Sequence, residues 1–339
     1  MAGGGNASLD RAHDPGADAA LARLPAAGET TVVAPIHRHR AEILLGVASW
    51  TDRTMTAPGV FYPQTVKTPE ARLRYYASRF PLVEVDATYY ALPAESTARL
   101  WVDRTPAGFT FDVKAHALMT GHATETARLP RALRDSLPAE VRDKARVYAK
   151  ELPREFRDEI WRAFREGIEP LRASGKLGAV MMQFPPWVRP AAHTPEMLER
   201  VRQRLGDLPV TVEFRHPSWL APRMRERVWD LLRRLDMTYV VADTPPDTPA
   251  SLPIVPAITT PRLAVVRLHG RRSELWGATD APVVEKYRYL YDSGELGEWK
   301  TIIDELAEQA ERIHVVFNNC YANYGTTNAA QMASLLREI

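Results

Sequence analysis

Short apolar runs recur along the chain from residue 43 to the C-terminus, and they alternate with segments of helical periodicity. Several runs are unbroken over the length of a strand, as expected for parallel strands that are covered on both faces. Between the runs, apolar residues recur at spacings of three and four, as Met224, Val228, Leu231 and Leu235 do. The eight runs lie at residues 43–50, 82–90, 109–116, 177–184, 210–216, 238–243, 263–270 and 313–319.

Eight strands with helices after most of them predict an α/β fold, a (β/α)8 TIM barrel formed by residues 42–339 as a single domain. A doubly wound open sheet is the alternative that fits the same alternation. Residues 1–41 are rich in Ala, Gly and Pro and lack apolar periodicity. We therefore predict a flexible N-terminal tail, with regular structure beginning at Ile43.

The interval at about 121–166 is too long for a simple connection between strands three and four. Phe156, Ile160 and Phe164 share one face of a helix in this interval. We predict a helical insertion after strand three, on the side of the barrel where active sites form. A passive solvated cap is favoured over a catalytic lid.

Composition narrows the classes of partner and location. The chain has 44 basic and 42 acidic side chains, a net charge of +2. Most nucleic-acid-binding domains have a larger excess of basic residues than this. The single cysteine, Cys320, permits no intrachain disulfide and suits a reducing compartment. The sequence has no apolar run long enough to span a bilayer, and its start does not resemble a signal peptide. We expect a cytoplasmic protein without a membrane partner.

Ionisable and amide side chains interrupt the apolar runs near their C-terminal ends. In a TIM barrel these strand ends meet at one mouth, where active sites are found. A buried charge costs several kcal/mol unless it is paired, so these residues form either a structural ion-pair network or a polar binding site. We favour a functional mouth because at least six strands contribute and both signs of charge are present. The candidates are Glu84, Lys114, Gln183, Glu213, Arg215, His216, Asp243, Arg267, His269, Asn318 and Asn319.

The mixture of cations and carboxylates favours an enzyme, a hydrolase or lyase, that acts on a small phosphorylated or otherwise anionic substrate. Lys114, Arg215 and Arg267 would bind the anion. Glu84 and Glu213 would be acid and base, and His269 would be a proton shuttle or a ligand. The substrate site would be completed by the remaining candidates, which are Gln183, His216, Asp243, Asn318 and Asn319. A non-catalytic module that binds nucleic acid or a small anionic ligand is the alternative hypothesis.

Other kinds of site have weaker support. Glu213, His216, Asp243 and His269 could supply metal ligands, but neither an HExxH motif nor paired cysteines are present. The cofactor therefore stays unknown: a divalent metal is left open but not favoured, and no metal ligand is assigned. Neither GxGxxG nor GxxxxGK[ST] occurs, which disfavours Rossmann and P-loop nucleotide sites. For Cys320 we favour inert packing over a catalytic thiolate.

Aromatic residues also lie near the ends of several runs, where they could stack on a base or a sugar. Each of them alone is more often a packing residue, and only clustering at the mouth would favour a role in binding. These residues are Trp50, Tyr62, Tyr89, Tyr90, Trp187, Trp219 and Trp276.

A succession of motifs resembles the YecE-like family, which is catalogued as domain of unknown function 72. The motifs, in order, are GVASW (46–50), FYP (61–63), VEVDATYY (83–90), FDVKAH (111–116), KLGAVMMQFPP (176–186), VEFRHPSW (212–219), VVRLHG (265–270) and FNN (317–319). The resemblance runs from Gly46 to the C-terminus. It implies a TIM barrel but no established reaction, and an architecture similar to the metal-dependent nucleases of the endonuclease IV type. Asp86 stands where the family often has Asn, and the insertion is longer than in compact members.

The polar positions that recur in this family match most of the candidates above. They are Glu84, Lys114, Gln183, Glu213, Arg215, His216, Arg267, His269, Asn318 and Asn319 in this chain.

Overall fold

The computed structural model describes residues 24–276 and 282–338, and a closed barrel of parallel strands lies at its centre. The strands follow one another along the chain as β1 (Ile36–Arg38), β2 (Ala41–Ala48), β3 (Leu82–Val85), β4 (Thr110–Lys114), β5 (Ala123–Glu125), β6 (Arg146–Tyr148), β7 (Leu177–Gln183), β8 (Val210–Glu213), β9 (Met237–Asp243), β10 (Ala264–Leu268) and β11 (Arg312–Phe317).

Eight of these strands close the barrel in the order β2-β11-β10-β9-β8-β7-β4-β3, and β3 pairs with β2. All eight neighbouring pairs are parallel. Gly46 of β2 allows the closing pair to form, because a Cβ at this position would lie 2.0 Å from the carbonyl oxygen of Leu82. The eight strands are the eight predicted apolar runs. The TIM-barrel prediction is therefore confirmed, and the open-sheet alternative is wrong.

Helices connect the strands and cover the barrel. The longer helices bury an apolar face, as Val228, Leu231 and Leu232 show where the helix at 222–234 packs on β9. The helices are α1 (Pro69–Ala77), α2 (Ala87–Tyr90), α3 (Glu95–Asp103), α4 (Ala117–Thr120), α5 (Arg131–Asp135), α6 (Ala139–Arg142), α7 (Arg154–Ala173), α8 (Thr194–Leu205), α9 (Pro222–Arg234), α10 (Val283–Lys286), α11 (Ser293–Ala307) and α12 (Tyr324–Arg337).

Regular structure begins earlier than predicted. Strand β1 pairs antiparallel with β2, with Ile36 opposite Ile43, and Val33 and Ile36 are buried. The expectation that regular structure starts at Ile43 is therefore wrong. A strand of three residues with a single buried side chain is too short for an alternating pattern to show. The first 23 residues of the predicted tail lie outside the described residues.

The segment after β4 contains the predicted helices α5, α6 and α7, in which Phe156, Ile160 and Phe164 are buried. It also contains a separate two-stranded antiparallel sheet of β5 and β6, which the sequence did not predict. Thr124 and Val147 face each other in this sheet, and both are buried. Each strand has only three residues, again too few for a periodic pattern.

Inside the barrel, polar residues interrupt the apolar filling. Nδ1 of His314 lies 2.9 and 3.0 Å from the two carboxylate oxygens of Asp112, and both side chains are buried. Gly178 makes room for this pair, because a Cβ there would lie 2.5 Å from Oδ1 of Asp112. The barrel therefore encloses a buried acid–imidazole pair that is separate from the candidate residues.

In the part of the chain that the structure describes, every helix is too short or too polar to cross a membrane.

Candidate functional site

Three charged side chains from three strands meet at the carboxyl end of the barrel. Arg267 of β10 donates from Nη2 to Oε1 of Glu84 on β3 at 2.7 Å, and from Nη1 to Oε2 of Glu213 on β8. Each of the three side chains is at most 1% exposed. Arg267 thus bridges the two carboxylates and compensates for the loss of their hydration. We call Glu84, Glu213, Arg267 and His269 the floor cluster.

The second carboxylate oxygen of Glu213 binds three further side chains. Oε1 accepts from Gln183 at 2.6 Å and from Arg215 at 2.8 Å, and it lies 3.2 Å from Nε2 of His269. Burial alone favours the neutral acid, but Arg267, His269 and Arg215 outweigh it and hold the pKa of Glu213 well below its usual range. Glu213 is therefore an ionised anchor and a weak base.

His269 is held in one orientation from both sides. The amide Nδ2 of Asn318 lies 2.8 Å from Nδ1 of the imidazole, and Nε2 faces Glu213. This arrangement fits the neutral tautomer in which Nε2–H donates to Glu213. Burial lowers the pKa of His269 to about 3, although Glu213 opposes the shift. His269 is therefore uncharged at neutral pH.

Burial also pushes Glu84 and the neighbouring Lys114 toward their neutral forms. Burial raises the pKa of Glu84 despite Arg267 and Lys114 nearby. Burial, followed by repulsion from Arg267, lowers the pKa of Lys114, although Glu84 favours its charged form. Oppositely shifted acid and base side chains on neighbouring strands are typical of groups that exchange protons in catalysis.

Ser49 and Asp86 border the same end of the barrel. Ser49 follows β2 with a φ of +92°, a conformation that costs energy for a residue with a Cβ, and its backbone N–H donates to the carbonyl of Glu84 at 2.9 Å. Burial raises the pKa of the half-buried Asp86 carboxyl, and Lys114 and Ser49 partly oppose this shift. The sequence pattern noted Asp86 but did not include Ser49.

Aromatic rings cluster on two sides of the mouth. On one side, the Lys114 ammonium lies 4.8 Å from the centre of the Tyr89 ring, and His122 packs edge-on between Tyr89 and Trp187 at 5.2 and 5.6 Å. Tyr90 packs against Tyr89 at 5.0 Å. The cluster contains three of the seven aromatic residues singled out from the sequence, and it adds His122, which sequence reasoning missed.

On the other side, the guanidinium of Arg215 stacks on Trp276 at 4.9 Å. Tyr287 packs edge-on against Trp276 at 6.3 Å, and both rings lie about 6 Å from His269. Tyr287 was also missed, because it follows strand seven by many residues. In contrast, Trp50, Tyr62 and Trp219 are buried in the core away from these rings.

Three sequence candidates make their contacts elsewhere. The imidazole Nδ1 of His216 lies 2.6 Å from the hydroxyl of Ser218 and caps the turn that follows β8. Asn319 donates to the carbonyl of Tyr289 and to Asn328, both at 2.8 Å, and so ties β11 to α12. These contacts hold loops in place and do not reach the floor cluster.

Asp243, the third such candidate, belongs to a separate buried group. Its Oδ2 accepts from Arg271 at 3.0 Å and from the Tyr291 hydroxyl at 2.7 Å, and Arg271 also contacts Glu295 at 3.3 Å. Burial raises the pKa of Asp243, while Tyr291 and Arg271 oppose the shift. We call Asp243, Arg271, Tyr291 and Glu295 the lateral cluster.

Metal binding and thiol chemistry find little support in the side chains. Across residues 24–276 and 282–338, no three His, Cys, Asp or Glu side chains are grouped as metal ligands, and a guanidinium bridges Glu84 and Glu213. Cys320 shows the contacts of a packing residue. Its thiol donates to the carbonyl of Ala48 at 2.8 Å, and burial raises its pKa well above the usual value. These contacts are those of a packing cysteine.

Comparison with known proteins places the chain in a family. Residues 44–339 match the model described as "Protein of unknown function DUF72". The UPF0759 protein YunF of Bacillus subtilis (strain 168) is 30% identical over 297 residues, which cover 87% of this chain and 94% of the relative.

Two solved structures share the fold. A DUF72 family protein from Thermotoga maritima MSB8 is 27% identical with a TM-score of 0.68, over 87% of this chain and 99% of that one. One from Enterococcus faecalis V583 is 26% identical with a TM-score of 0.68, over 88% and 96%. The barrel, the order of the motifs and these matches agree, and the chain belongs to the DUF72 family of unknown function.

Proposed function

We propose that this protein is an enzyme, a hydrolase or lyase, that binds a phosphorylated or otherwise anionic substrate at the carboxyl-end mouth of the barrel. The proposal is supported above all by His122. Burial lowers its pKa to about 4, and Lys114 of β4 and Arg215, just after β8, both add to the shift. Two cations, from the strands on either side of β7, therefore act on one neutral imidazole. The space that they border is electrostatically suited to an anion.

Arg215 is the group that we assign to the anion. One of its amino groups is bound to Glu213, while within the described residues Nη2 and Nε have no hydrogen-bond partner. Arg267 is different, because both of its amino groups are bound to Glu84 and Glu213. We therefore assign Arg267 the role of holding the floor cluster and Arg215 the role of contacting substrate.

The remaining groups divide into proton exchange and positioning. Glu84 and Lys114, whose pKa values shift in opposite directions, would give and take protons. Gln183 and Asn318 are half-buried amides that contact the floor through one nitrogen each, which leaves their oxygens for substrate. The rings beside the two cations would exclude water from the bound anion.

Titration with inorganic phosphate and pyrophosphate tests the anion site. We compare the wild type with Arg215→Gln and with Arg189→Gln, a control that removes an exposed arginine from the loop after β7. We expect Arg215→Gln to weaken binding about tenfold or more, because a hydrogen bond to a charged group is worth about 1.5–3 kcal/mol. Equal affinity in both variants, or no binding of either probe to the wild type, would contradict the proposal.

A non-catalytic module that binds single-stranded nucleic acid is the second candidate, and exposed aromatic side chains favour it. Trp187 is 59% and Tyr90 44% exposed, and such rings stack on bases. A cavity of about 460 Å³ beside the insertion is also lined by Arg154, Arg157 and Arg200 among others.

A salt titration of oligonucleotide binding separates the two candidates. Binding through phosphates weakens steeply as salt rises, whereas binding of a small anion in a half-buried mouth depends on it less. A flat salt response, or no binding of the oligonucleotide, would count against the second candidate.

A further inference from the structure

Lys114 lies at the carboxyl end of the barrel and has no carboxylate partner of its own among the described residues. It is the last residue of β4, and among the described residues no carboxylate oxygen lies within 4.0 Å of its ammonium group. The ammonium lies over the face of the Tyr89 ring, 4.8 Å from its centre. In contrast, the buried cation Arg267 is held by direct ion pairs.

It is also informative that position 114 is a lysine and not an arginine. Only seven of the 44 basic residues of this chain are lysines, so a cation that merely binds an anion would be expected to be an arginine. Arginine never loses its proton in proteins, whereas a desolvated lysine does and becomes a nucleophile. A lysine at this position therefore offers chemistry that an arginine could not.

Lys176 provides an internal contrast. It is buried, whereas Lys114 is half-buried, and burial lowers the pKa of both. Its ammonium donates to the carbonyl of Val102 at 2.8 Å and to the carbonyl and hydroxyl oxygens of Thr105 at 2.7 and 2.9 Å. These bonds occupy all three donors and cap the end of α3. Lys114 has no such bonds among the described residues, and its side chain is half-buried beside the Tyr89 ring.

The charged neighbours of Lys114 are arranged for both of its protonation states. Arg267 and burial favour the neutral amine, and Glu84, Glu213 and Asp86 favour a cation. The ring of Tyr89 also favours a cation, and His122 on the far side is neutral. The site therefore accepts a neutral nucleophile before reaction and a positively charged nitrogen after it.

We propose that Lys114 forms an imine with the aldehyde or ketone group of an anionic carbonyl substrate, while Arg215 binds the anionic group. This inference rests on the proposed function of the same mouth and narrows it from hydrolase or lyase to lyase. A lyase that cleaves a carbon–carbon bond must draw electrons out of that bond. An imine on the neighbouring carbon atom withdraws them.

The step balances with the groups present. The lone pair of Nζ forms the carbon–nitrogen bond while the carbonyl π bond breaks. Glu84 relays the proton that the nitrogen loses to the former carbonyl oxygen, and the product is a carbinolamine. Glu84 then donates a proton to the hydroxyl of the carbinolamine, which leaves as water as the carbon–nitrogen double bond forms. The resulting iminium cation faces the ionised Glu84 and Asp86. No oxidant or further reactant is needed.

Reductive trapping tests the proposal. The wild-type protein is incubated with borohydride and one of three probes, glyoxylate, pyruvate or glycolaldehyde phosphate, and is then digested for peptide mass mapping. We expect more reduced adduct on Lys114 than on the exposed Lys67, because burial lowers the pKa of Lys114 and so increases its fraction of neutral, nucleophilic amine. Lys176 in the same digest controls for burial alone. Lys114→Arg should lose the adduct at this position.

The contrary outcomes are distinct. Adduct spread evenly over Lys67 and the other exposed lysines, equal adduct on Lys176, or no adduct on Lys114 with any of the probes would overturn the imine. Anion binding that depends on Arg215 without trapping would overturn the imine but leave the proposed anion site. Trapping on Lys114 without binding that depends on Arg215 would overturn the anion site instead. The wild-type digest alone decides whether the imine forms, so that result does not depend on whether the Lys114→Arg variant folds.

Discussion

The floor cluster is a fully buried group of charges and the lateral cluster a partly buried one, yet they differ above all in what they leave unbound. In the lateral cluster, Asp243 and Glu295 both bind Arg271, and the Tyr291 hydroxyl bridges Asp243 and the backbone of Gly270. In the floor cluster, the carboxylates are equally well bound by Arg267. Next to the floor cluster, however, lie Lys114 and Arg215, whose donor groups are not all hydrogen-bonded among the described residues.

This difference shows that a charge at a strand end is a poor indicator of function by itself. Both clusters satisfy the requirement that buried charges be paired, and both therefore stabilise the fold. The functional indication comes from the half-buried groups next to the floor cluster, Lys114 and Arg215, which have donors available beside aromatic rings. The lateral cluster has no such groups at its edge among the described residues, because Arg271 is bound to three carboxylates.

The largest effect is expected from Arg267→Leu, which leaves Glu84 and Glu213 buried without their bridging cation. Breaking a buried ion pair by removing one partner costs about 3–5 kcal/mol, so the free energy of unfolding at neutral pH should fall by this amount. Urea unfolding measures it. Adding Glu84→Gln and Glu213→Gln to the variant should restore much of the loss. A single variant within about 1 kcal/mol of the wild type would show that the floor is not a closed network.

The acid side of the stability profile provides the next test of the floor cluster. The pKa of His269 is about 3 in the folded protein and 6.5 in the reference state, so the neutral form favours folding. Its contribution is present above pH 6.5 and is lost as the pH falls toward 3. His269→Gln should therefore reduce the slope of unfolding free energy against pH in this window by up to about 1.4 kcal/mol per pH unit. Parallel profiles for the two proteins would contradict the buried, neutral imidazole.

Tyr291→Phe tests the lateral cluster. The hydroxyl donates to Asp243 and accepts from the backbone N–H of Gly270, both at 2.7 Å, so its removal leaves two buried groups with fewer partners. We expect a loss of about 2 kcal/mol in unfolding free energy. Pyrophosphate affinity should stay at the wild-type value if the two clusters are independent. A parallel loss of affinity would join the lateral cluster to the mouth.

The smallest effect is expected from Trp276→Phe at the rim. The indole lies 4.9 Å below the Arg215 guanidinium and holds it over the mouth. Cation–π contacts are worth about 0.5–1 kcal/mol at such sites, so pyrophosphate affinity should fall about two- to fivefold. Titration calorimetry measures this change. An unchanged affinity would mean that Glu213 alone positions Arg215.

The sequence predicted the barrel because each of its eight strands carries an apolar run long enough to recognise. Four of the residues that it singled out, Glu84, Lys114, Arg267 and His269, lie at the carboxyl end of the barrel, and their role as a site stays a prediction. It could not identify β1, β5 and β6, because each has three residues and contributes too little burial to leave a pattern.

Some candidates were separated from the site by the alternation of strand side chains. Adjacent residues point to opposite faces, so Asn318 contacts His269 while Asn319 contacts α12. The same alternation separates Arg215 from His216. His122 and Tyr287 were missed for another reason: they come from connecting segments, whose position in space depends on packing and not on a local period.

The central claim is that Lys114 and Arg215 border one anion site beside His122. A crystal of the protein soaked in tungstate, an anion that mimics phosphate and scatters anomalously, tests this claim most directly. We predict an anomalous peak between the Lys114 ammonium, the Arg215 guanidinium and the His122 ring. An empty mouth, with tungstate bound instead at the arginines of the insertion, would contradict the claim.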